Sequence, residues 1–241
     1  MINLYPRNYR LFGEYWIPLF ERLKDKNIIP SNIFNPTKTF FKLIKLYEES
    51  HRHYHNAQHI LTLLDEHEDI QNKNEYQLNY KDELELAIFF HDCVYKTNKR
   101  KYKDNEVNSS MVCLNFMEEL GITKHSFINT VCTFINCTNE DFFNNYFSLP
   151  YNNPNFVNDV KYLYDLDRQI LGAYDYNIFL FYSNKIKQEF PFFIRTFTFD
   201  KKRKEFLNNL LMNRPIFKTE YFRNKYEDNA IVNINKYLET K

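Results

Sequence analysis

Glycine, tryptophan and long apolar runs are scarce in this chain of 241 residues. It has three glycines and one tryptophan. It contains no run of about 18 apolar residues, the length that would allow a membrane-spanning helix, so such a helix is excluded. Regular alternation of apolar and polar residues is also rare, whereas apolar residues recur at helical spacing. Together these features predict an all-α protein.

Neither charge sign is in excess, because 32 lysines and arginines accompany 31 aspartates and glutamates. Without a net field, neither nucleic acid nor an acidic membrane is predicted as the main partner. The four cysteines form no Cys-x-x-Cys pair, and their apolar surroundings are typical of reduced thiols in a cytosolic protein. The first residues, MINLYPR, do not resemble a signal peptide. We therefore expect a cytoplasmic protein.

No glycine- or serine-rich linker divides the chain, which favours a single domain over residues 1–241. Hydrophobic residues make up 44% of the sequence, enough for a sizeable core. We expect about eight to ten helices, with the core over about 36–191 and the C-terminal helices of 192–241 packed on it. Residues 139–155, rich in asparagine and proline, are predicted to be the longest loop and a candidate lid.

His91 and Asp92 end one of the most apolar runs of the sequence. His91 lies at helical spacing from Leu84 and Ala87, so it is expected on the stripe that faces the core. Asp92 falls on the neighbouring stripe. A carboxylate in apolar surroundings is costly unless it is paired, hydrogen-bonded or bound to a cation. A core histidine beside a capping carboxylate is the alternative, and only partners elsewhere in the chain can decide between the two.

Two other predicted helices place a potential metal ligand on or beside an apolar stripe. His59 shares a face with Leu63 near a helix start, for which Asn56 is the predicted N-cap. Asp167 lies on the apolar stripe of a later helix, whereas Asp165 is predicted on its polar side. Two imidazoles and two carboxylates form a mixed nitrogen and oxygen set that suits Mn²⁺, Fe²⁺, Co²⁺, Ni²⁺ or Zn²⁺. The sequence therefore predicts a metal site built from three helices.

In their order along the chain, these ligands resemble those of the HD-domain metal-dependent phosphohydrolases. The similarity is closer to one branch of that superfamily, which shares four sequence motifs with this chain. The motifs are Tyr-His-Asn-x-x-His-Ile at Tyr54–Ile60, Phe-His-Asp-x-Val-Tyr at Phe90–Tyr95, Asp-Asn-Glu-x-x-Ser at Asp104–Ser109 and Asp-x-Asp-x-x-Ile-Leu-Gly at Asp165–Gly172. The resemblance covers roughly residues 10–238 and implies an HD-domain-like helical bundle.

The resemblance implies hydrolysis of a phosphate ester, with a nucleotide as the expected substrate. It also implies one divalent ion (Mn, Fe, Co, Ni, Zn or Mg) bound by His59, His91, Asp92 and Asp167. Such an ion would polarise a phosphoryl oxygen and lower the pKa of its water toward neutrality. Asp92 would orient that water. Glu106, on the apolar face at the start of its predicted helix, is the candidate general base or a support for the ligands.

Phosphate charge needs a cationic partner, and Arg203 is the first candidate because a guanidinium binds phosphate in a bidentate manner. Its predicted position borders the core, although a solvent-facing arginine is the alternative. Lys96, Lys99 and Tyr95 follow the His-Asp pair and are further candidates for substrate binding. A merely solvated connection is the other interpretation of this basic loop.

Two positions depart from the family pattern. Asn136 stands where a histidine is expected, and Ile231 stands where an arginine is expected, so a second metal ion and one phosphate contact lack their usual residues. A nucleotide sensor without turnover remains an alternative function. Oxidative di-iron chemistry would need additional histidine ligands, and Asn136 counts against it. His55 is either a support for the ligands or a surface residue, and a homodimer is left open.

Overall fold

The computed structural model describes residues 6–32, 36–98, 104–147 and 153–239. Regular structure in these ranges is entirely helical, which confirms the prediction of an all-α protein. The α-helices are α1 Pro6–Arg10, α2 Ile17–Asp25, α3 Pro36–Tyr47, α4 Ala57–Asn72, α5 Lys81–Phe90, α6 Asn105–Glu119, α7 His125–Asn136, α8 Glu140–Phe147, α9 Pro154–Arg168, α10 Tyr176–Gln188, α11 Phe192–Phe197, α12 Phe199–Met212 and α13 Glu220–Glu239.

Two of these helices extend beyond their α-helical bounds. A π-helical stretch, Leu11–Trp16, joins α1 to α2, and α9 continues into a 3-10 helix, Gln169–Gly172. With α1 and α2 taken as one rod, the described residues contain twelve helices. The expected number of eight to ten is therefore too low, because the short helices α8 and α11 were missed.

Residues 140–147 form α8, so the prediction of an irregular lid over 139–155 is wrong for this part. The helix forms because Phe143 is buried against Phe147 and Tyr164, with ring centroids 4.3 and 4.1 Å apart. Abundant asparagine in the segment masks these two apolar contacts in the sequence. The rest of the predicted lid includes residues 148–152, which lie outside the described residues.

The central helix of the bundle is α5. Every residue from Leu84 to Phe90 is buried, and α5 contacts α2, α4, α6, α7 and α9. Apart from Glu85 this stretch is apolar, and a helix with apolar side chains on every face must be surrounded by other elements. Trp16 from the π-helical stretch packs edge-on against Phe89, at 5.0 Å between ring centroids. Because α5 ends inside the bundle, the residues that follow it, His91 and Asp92, are delivered to the interior.

The polar start of α5 is fixed by ion pairs with α2. Arg22 Nε lies 3.0 Å from Asp82 Oδ1, the same guanidinium contacts Glu85, and Lys26 contacts Asp82. Asp82 and Glu85 are both buried, so their charges require these partners. The pairs hold the N-terminal end of α5 against α2.

Gly172 is where α13 packs against the turn that follows Asp167. A Cβ at position 172 would lie 2.5 Å from Tyr226 Cβ and 2.6 Å from the Tyr226 carbonyl oxygen, so only glycine fits. Asn233 Nδ2 donates to the carbonyls of Leu171 and Ala173 at 3.0 and 2.8 Å. The C-terminal helix thus supports one end of the candidate site.

The four cysteines have free thiols, as expected. None of the helices in the described part of the chain combines the length and apolar character needed to cross a lipid bilayer.

Candidate metal centre

His59 reaches the site from the first turn of α4. Asn56 caps this helix, as predicted, by accepting a hydrogen bond from the backbone N–H of Gln58 at 2.9 Å. The cap fixes where the helix begins and therefore which face His59 occupies. His59 is buried with Leu63 on that face.

His91 and Asp92 enter the site from the end of α5. The helix ends at Phe90, so Asp92 belongs to the turn beyond it. The prediction that Asp92 lies on a helical stripe is therefore wrong. His91 Nδ1 donates a hydrogen bond to the carbonyl of Ile88 at 2.9 Å. Because a carbonyl can only accept, this contact places the proton on Nδ1 and leaves the Nε2 lone pair for a metal bond.

Four side chains converge at one point: one ligand atom each from His59, His91, Asp92 and Asp167 lies within 4.8 Å of the others. His59 Nε2 is 3.3 Å from His91 Nε2 and 3.2 Å from Asp167 Oδ1. Asp92 Oδ2 is 3.1 Å from His91 Nε2 and 3.7 Å from His59 Nε2. The structure thus brings together the four residues that the sequence predicted as ligands.

The spacing of this cluster fits a divalent metal ion. Bonds of about 2.0–2.1 Å at tetrahedral or octahedral angles hold neighbouring ligand atoms about 2.9–3.4 Å apart. Most of the distances in the cluster lie in or near that range. Two imidazole Nε2 atoms that face each other at 3.3 Å cannot both carry a proton, whereas both can bind one cation. The four residues could therefore hold a metal ion.

The electrostatics of the cluster also favour a cation. Burial lowers the pKa of His91, but the carboxylates of Asp92 and Asp167 outweigh it and place that pKa well above its ordinary value. Burial raises the pKa of Asp92, but the charges of His91 and His55 outweigh burial, so the pKa is lowered overall. For Asp167, contacts with His59 and His91 likewise outweigh burial and lower the pKa. Carboxylates that stay ionised in a buried site suit a divalent ion.

Asp165 is buried, so the prediction that it lies on a polar, solvated side is wrong. Its carboxylate accepts hydrogen bonds from the backbone N–H groups of Lys218 and Thr219 and from Thr219 Oγ1, at 2.7–2.9 Å. The segment before α13 covers this face of α9, and it supplies donors in place of water. Asp165 therefore has a structural role, and Asp167 is the residue that faces the cluster.

We expect substitution of the two α9 carboxylates, Asp165 and Asp167, to have different effects on stability and on metal binding. Asp165→Asn should lower the free energy of unfolding by about 2–3 kcal/mol, because its amide cannot accept all of these hydrogen bonds, and should leave metal binding intact. Asp167→Asn should weaken metal binding. Urea denaturation and metal titration measure the two effects. Lost metal affinity in Asp165→Asn, with Asp167→Asn unaffected, would reverse this assignment.

Arg52 holds together the two chain segments that carry the ligands. Its guanidinium is completely buried and donates to the carbonyls of His55, Asp92 and Cys93 at 2.7–3.0 Å. It also pairs with Glu49 at 2.9 Å. One side chain thus sets the distance between the loop before α4 and the turn after α5.

Arg52→Lys is expected to lower the free energy of unfolding by about 2–4 kcal/mol, because lysine cannot reproduce the planar set of donors. Metal affinity should fall roughly 10–100-fold, as is typical when the residues that orient metal ligands are changed. The matched control is Arg10→Lys, since Arg10 is exposed and pairs with Glu14 and Asp65. Equal metal affinity in Arg52→Lys and wild type would show that Arg52 has no part in positioning the ligands.

His55 is part of the site and is not a free surface residue. Its Nδ1 lies 2.6 Å from Glu189 Oε2, and its ring stacks on Tyr95 at 4.1 Å between centroids. Glu189 Oε1 also accepts the backbone N–H groups of His53, Tyr54 and His55 at 2.8–2.9 Å. A buried carboxylate from the end of α10 thereby fixes the loop that leads to His59.

Arg203 and Arg168 bring positive charge to a cavity of about 140 Å³ beside Asp167. The Arg203 guanidinium stacks on Tyr182 and contacts its hydroxyl, and its buried Nε has no hydrogen-bond partner among the described residues. Arg168 was predicted on the polar side of α9, but its Nη1 lies 3.6 Å from Asp167 Oδ2. The structure thus places a second guanidinium beside the ligands.

The other candidate substrate contacts are placed differently. Lys96 Nζ pairs with Glu49 at 3.0 Å, so it is not directed at the ligand cluster. Tyr95 contributes the ring on which His55 stacks, and burial raises its pKa well above its ordinary value. Lys99 lies outside the described residues.

Glu106 lies in the first turn of α6 and does not join the ligand cluster. It lines a cleft with Asn136 and Asn139, and its buried Oε2 has no hydrogen-bond partner among the described residues. Burial raises the pKa of Glu106, and the negative charge of Asp92 raises it further. A buried carboxyl group with a raised pKa is a candidate for proton transfer.

No protein-family model, no curated protein and no solved structure matches this chain. The resemblance to the HD-domain phosphohydrolases therefore stays a prediction.

Three residues of the site were missed by sequence reasoning or misplaced: Arg52, Arg168 and Glu189. Arg52 and Glu189 act mainly through hydrogen bonds to backbone groups, which no side-chain pattern reveals. The spacing of residues within α9 alone places Arg168 on its polar side. In the structure its guanidinium donates a hydrogen bond to the carbonyl of Thr138, which follows α7. The one available signal was the stretch that ends at His59, which carries four histidines within nine residues, His51 to His59.

Proposed function

We propose that this protein is a metal-dependent phosphohydrolase of the HD-domain type and that its substrate is a nucleotide or a related phosphate ester. The observation that carries the proposal is the joining of two features at Asp167. A cluster of two histidines and two aspartates lies on one side of it, and a cavity with two arginines lies on the other. Anionic ligands for a metal ion beside cationic groups suit a phosphate ester.

His59, His91, Asp92 and Asp167 would hold the ion. When bound, the ion would supply Lewis-acid polarisation of a phosphoryl oxygen and make water a better nucleophile at neutral pH. The chain supplies the rest of the chemistry through the placement of its own groups.

Arg203 is suited to bind and orient the phosphate. Its guanidinium is held by stacking on Tyr182 and Phe206, so little side-chain freedom is lost when it binds an anion. Arg168 is fixed by donating to the carbonyls of Tyr164 and Thr138 at 3.2 and 2.9 Å. Its charge offsets that of Asp167 and lowers the repulsion that a phosphate would meet there.

Glu106 is our candidate for the general base. A group that accepts a proton from the attacking water must be ionisable near neutral pH and must not already be committed to a stable partner. The raised pKa of Glu106 and its Oε2 atom, which has no hydrogen-bond partner among the described residues, support this role. Asn139 is the neighbour that holds its side chain.

The experiment that tests the proposal is hydrolysis by protein loaded with Mn²⁺, Mg²⁺, Fe²⁺ or Co²⁺. The panel contains mononucleotides, cyclic nucleotides, dinucleotides and guanosine polyphosphates, and the readouts are chromatography of the nucleotide and nucleoside products together with release of phosphate and pyrophosphate. Removal of the metal with a chelator should abolish hydrolysis, and its return should restore it. Tight binding of one nucleotide without turnover under any metal would instead support the sensor function.

A further inference from the structure

A second cavity of about 390 Å³ begins at the candidate metal centre and runs between α4, the 3-10 helix and α10. His59 and Asp167 form its inner end. Tyr54, Asp167, Ile170 and Tyr182 line both this cavity and the smaller one that contains Arg203. The two cavities are therefore neighbours that share these four side chains, of which Asp167 belongs to the candidate metal centre. The volume of the larger cavity lies in the range of roughly 300–1,000 Å³ that is usual for small-molecule sites.

The outer wall of this cavity presents large apolar side chains to solvent. Phe181 is 63% exposed and Tyr174 is 87% exposed, and Ile178 lies beside them with 38% exposure. Lys185 Nζ lies 5.3 Å from the centroid of the Phe181 ring. Two accessible aromatic faces at the mouth of a cavity form a surface on which a planar ring can stack.

A few polar side chains, those of Glu66, Gln169 and Tyr226, also line this largely apolar cavity. Glu66 Oε1 accepts hydrogen bonds from Lys225 Nζ and from the Tyr226 hydroxyl, both at 2.7 Å, and Gln169 lies 3.1 Å from the same hydroxyl. Among the described residues, neither of these hydrogen bonds goes to Glu66 Oε2. An alkyl chain in the cavity would displace water from this carboxylate without donating a hydrogen bond in its place, and such desolvation costs free energy. A ring with N–H groups along its edge would replace the water.

We propose that this cavity binds a planar, nitrogen-containing aromatic ring, such as a nucleobase, in the organic part of the phosphate ester. Phe181 and Tyr174 provide the stacking faces, and Glu66 and Gln169 contact the polar edge of the ring. The phosphate of the same molecule points toward Arg203. The orientation of the ester rests on the proposed function, whereas the affinity of the cavity for the ring does not depend on hydrolysis.

The test compares the binding of adenosine 5′-monophosphate and ribose 5-phosphate, which differ only in the base. Isothermal titration of the purified protein in the presence of a chelator prevents metal-dependent turnover of either probe. Wild type should bind adenosine 5′-monophosphate at least about tenfold more tightly. Phe181→Ala should remove roughly tenfold of that affinity and leave ribose 5-phosphate unchanged, as expected for loss of one stacking contact. Because Phe181 is exposed, the variant should fold normally.

Phe192→Ala is the matched control, since Phe192 is 70% exposed on α11 and does not line the cavity. Equal affinity of wild type for the two probes would overturn the proposal, and so would equal losses in the two variants. Tighter binding of octyl phosphate than of adenosine 5′-monophosphate would overturn it in favour of an alkyl chain. Discrimination between the probes together with no hydrolysis by metal-loaded protein would support the cavity and contradict only the proposed phosphohydrolase activity.

Discussion

Asp92→Ala is expected to lower the affinity for a divalent metal ion by more than about 100-fold, because changes to residues that merely orient ligands already cost roughly 10–100-fold. The carboxylate lies 3.1 Å from His91 Nε2 and 3.7 Å from His59 Nε2, so its removal takes one of four ligands from the cluster. It also removes a negative charge from a largely buried site, which weakens the attraction for any cation. Elemental analysis of protein purified in parallel with wild type measures the effect.

The control for this prediction is Asp228→Ala, which removes the same charge from an exposed position on α13. This variant should retain the metal content of wild type. Circular dichroism of each variant separates loss of the ion from loss of the fold. If Asp92→Ala and wild type hold equal amounts of metal, Asp92 is not a ligand, and the site must be completed by another group.

Glu106→Gln is expected to reduce turnover of the hydrolysed substrate by roughly 10²–10⁴-fold, the usual contribution of a general base. Glutamine has nearly the shape of glutamate but cannot accept a proton from water. Because Glu106 lies outside the ligand cluster, metal content and fold should be unchanged. The loss should therefore appear in kcat, with little change in the binding of the substrate. Steady-state kinetics with the metal-loaded protein measures it.

Glu118→Gln serves as the comparison, since Glu118 is exposed near the other end of α6. Wild-type kcat is expected for this variant. A carboxylate at a helix start has another simple role, favourable interaction with the helix dipole, worth about 0.3–1 kcal/mol in stability and irrelevant to rate. Should Glu106→Gln hydrolyse the substrate as fast as wild type, that structural role is the correct one.

The two functional interpretations of the site make opposite demands on Glu106. A site that only binds phosphate gains nothing from another carboxylate near Asp92, because the two anions repel each other and an added phosphate. A hydrolytic site gains a proton acceptor. The placement of a carboxylate with one buried oxygen that has no hydrogen-bond partner among the described residues therefore favours turnover over sensing, and Glu106→Gln tests that preference directly.

The metal cluster itself was predictable from the sequence because its members lie on or next to apolar stripes. His59 and His91 are both buried, and each sits where helical spacing from neighbouring leucine or alanine residues places it. Periodicity reports which face of a helix is apolar, and a polar residue on that face requires a partner. Asp167 faces the cluster as helical spacing predicts, but the same spacing wrongly placed Asp165, which is buried, on a polar side. Asp92 reached the cluster through a turn, which periodicity does not describe.

By itself, the sequence determined the all-helical class, the cap at Asn56 and the inward position of His59 and His91, since these depend on spacing and local hydrogen bonding. Only the tertiary structure decided that Asp165 is buried, that Arg52 joins the two ligand-bearing loops and that Glu189 fixes the loop before His59. These side chains bind backbone groups from 40 to 136 positions away along the chain. Every residue offers the same backbone donor and acceptor, so the sequence does not show which backbone group such a side chain will bind. That choice is made only when the helices pack together.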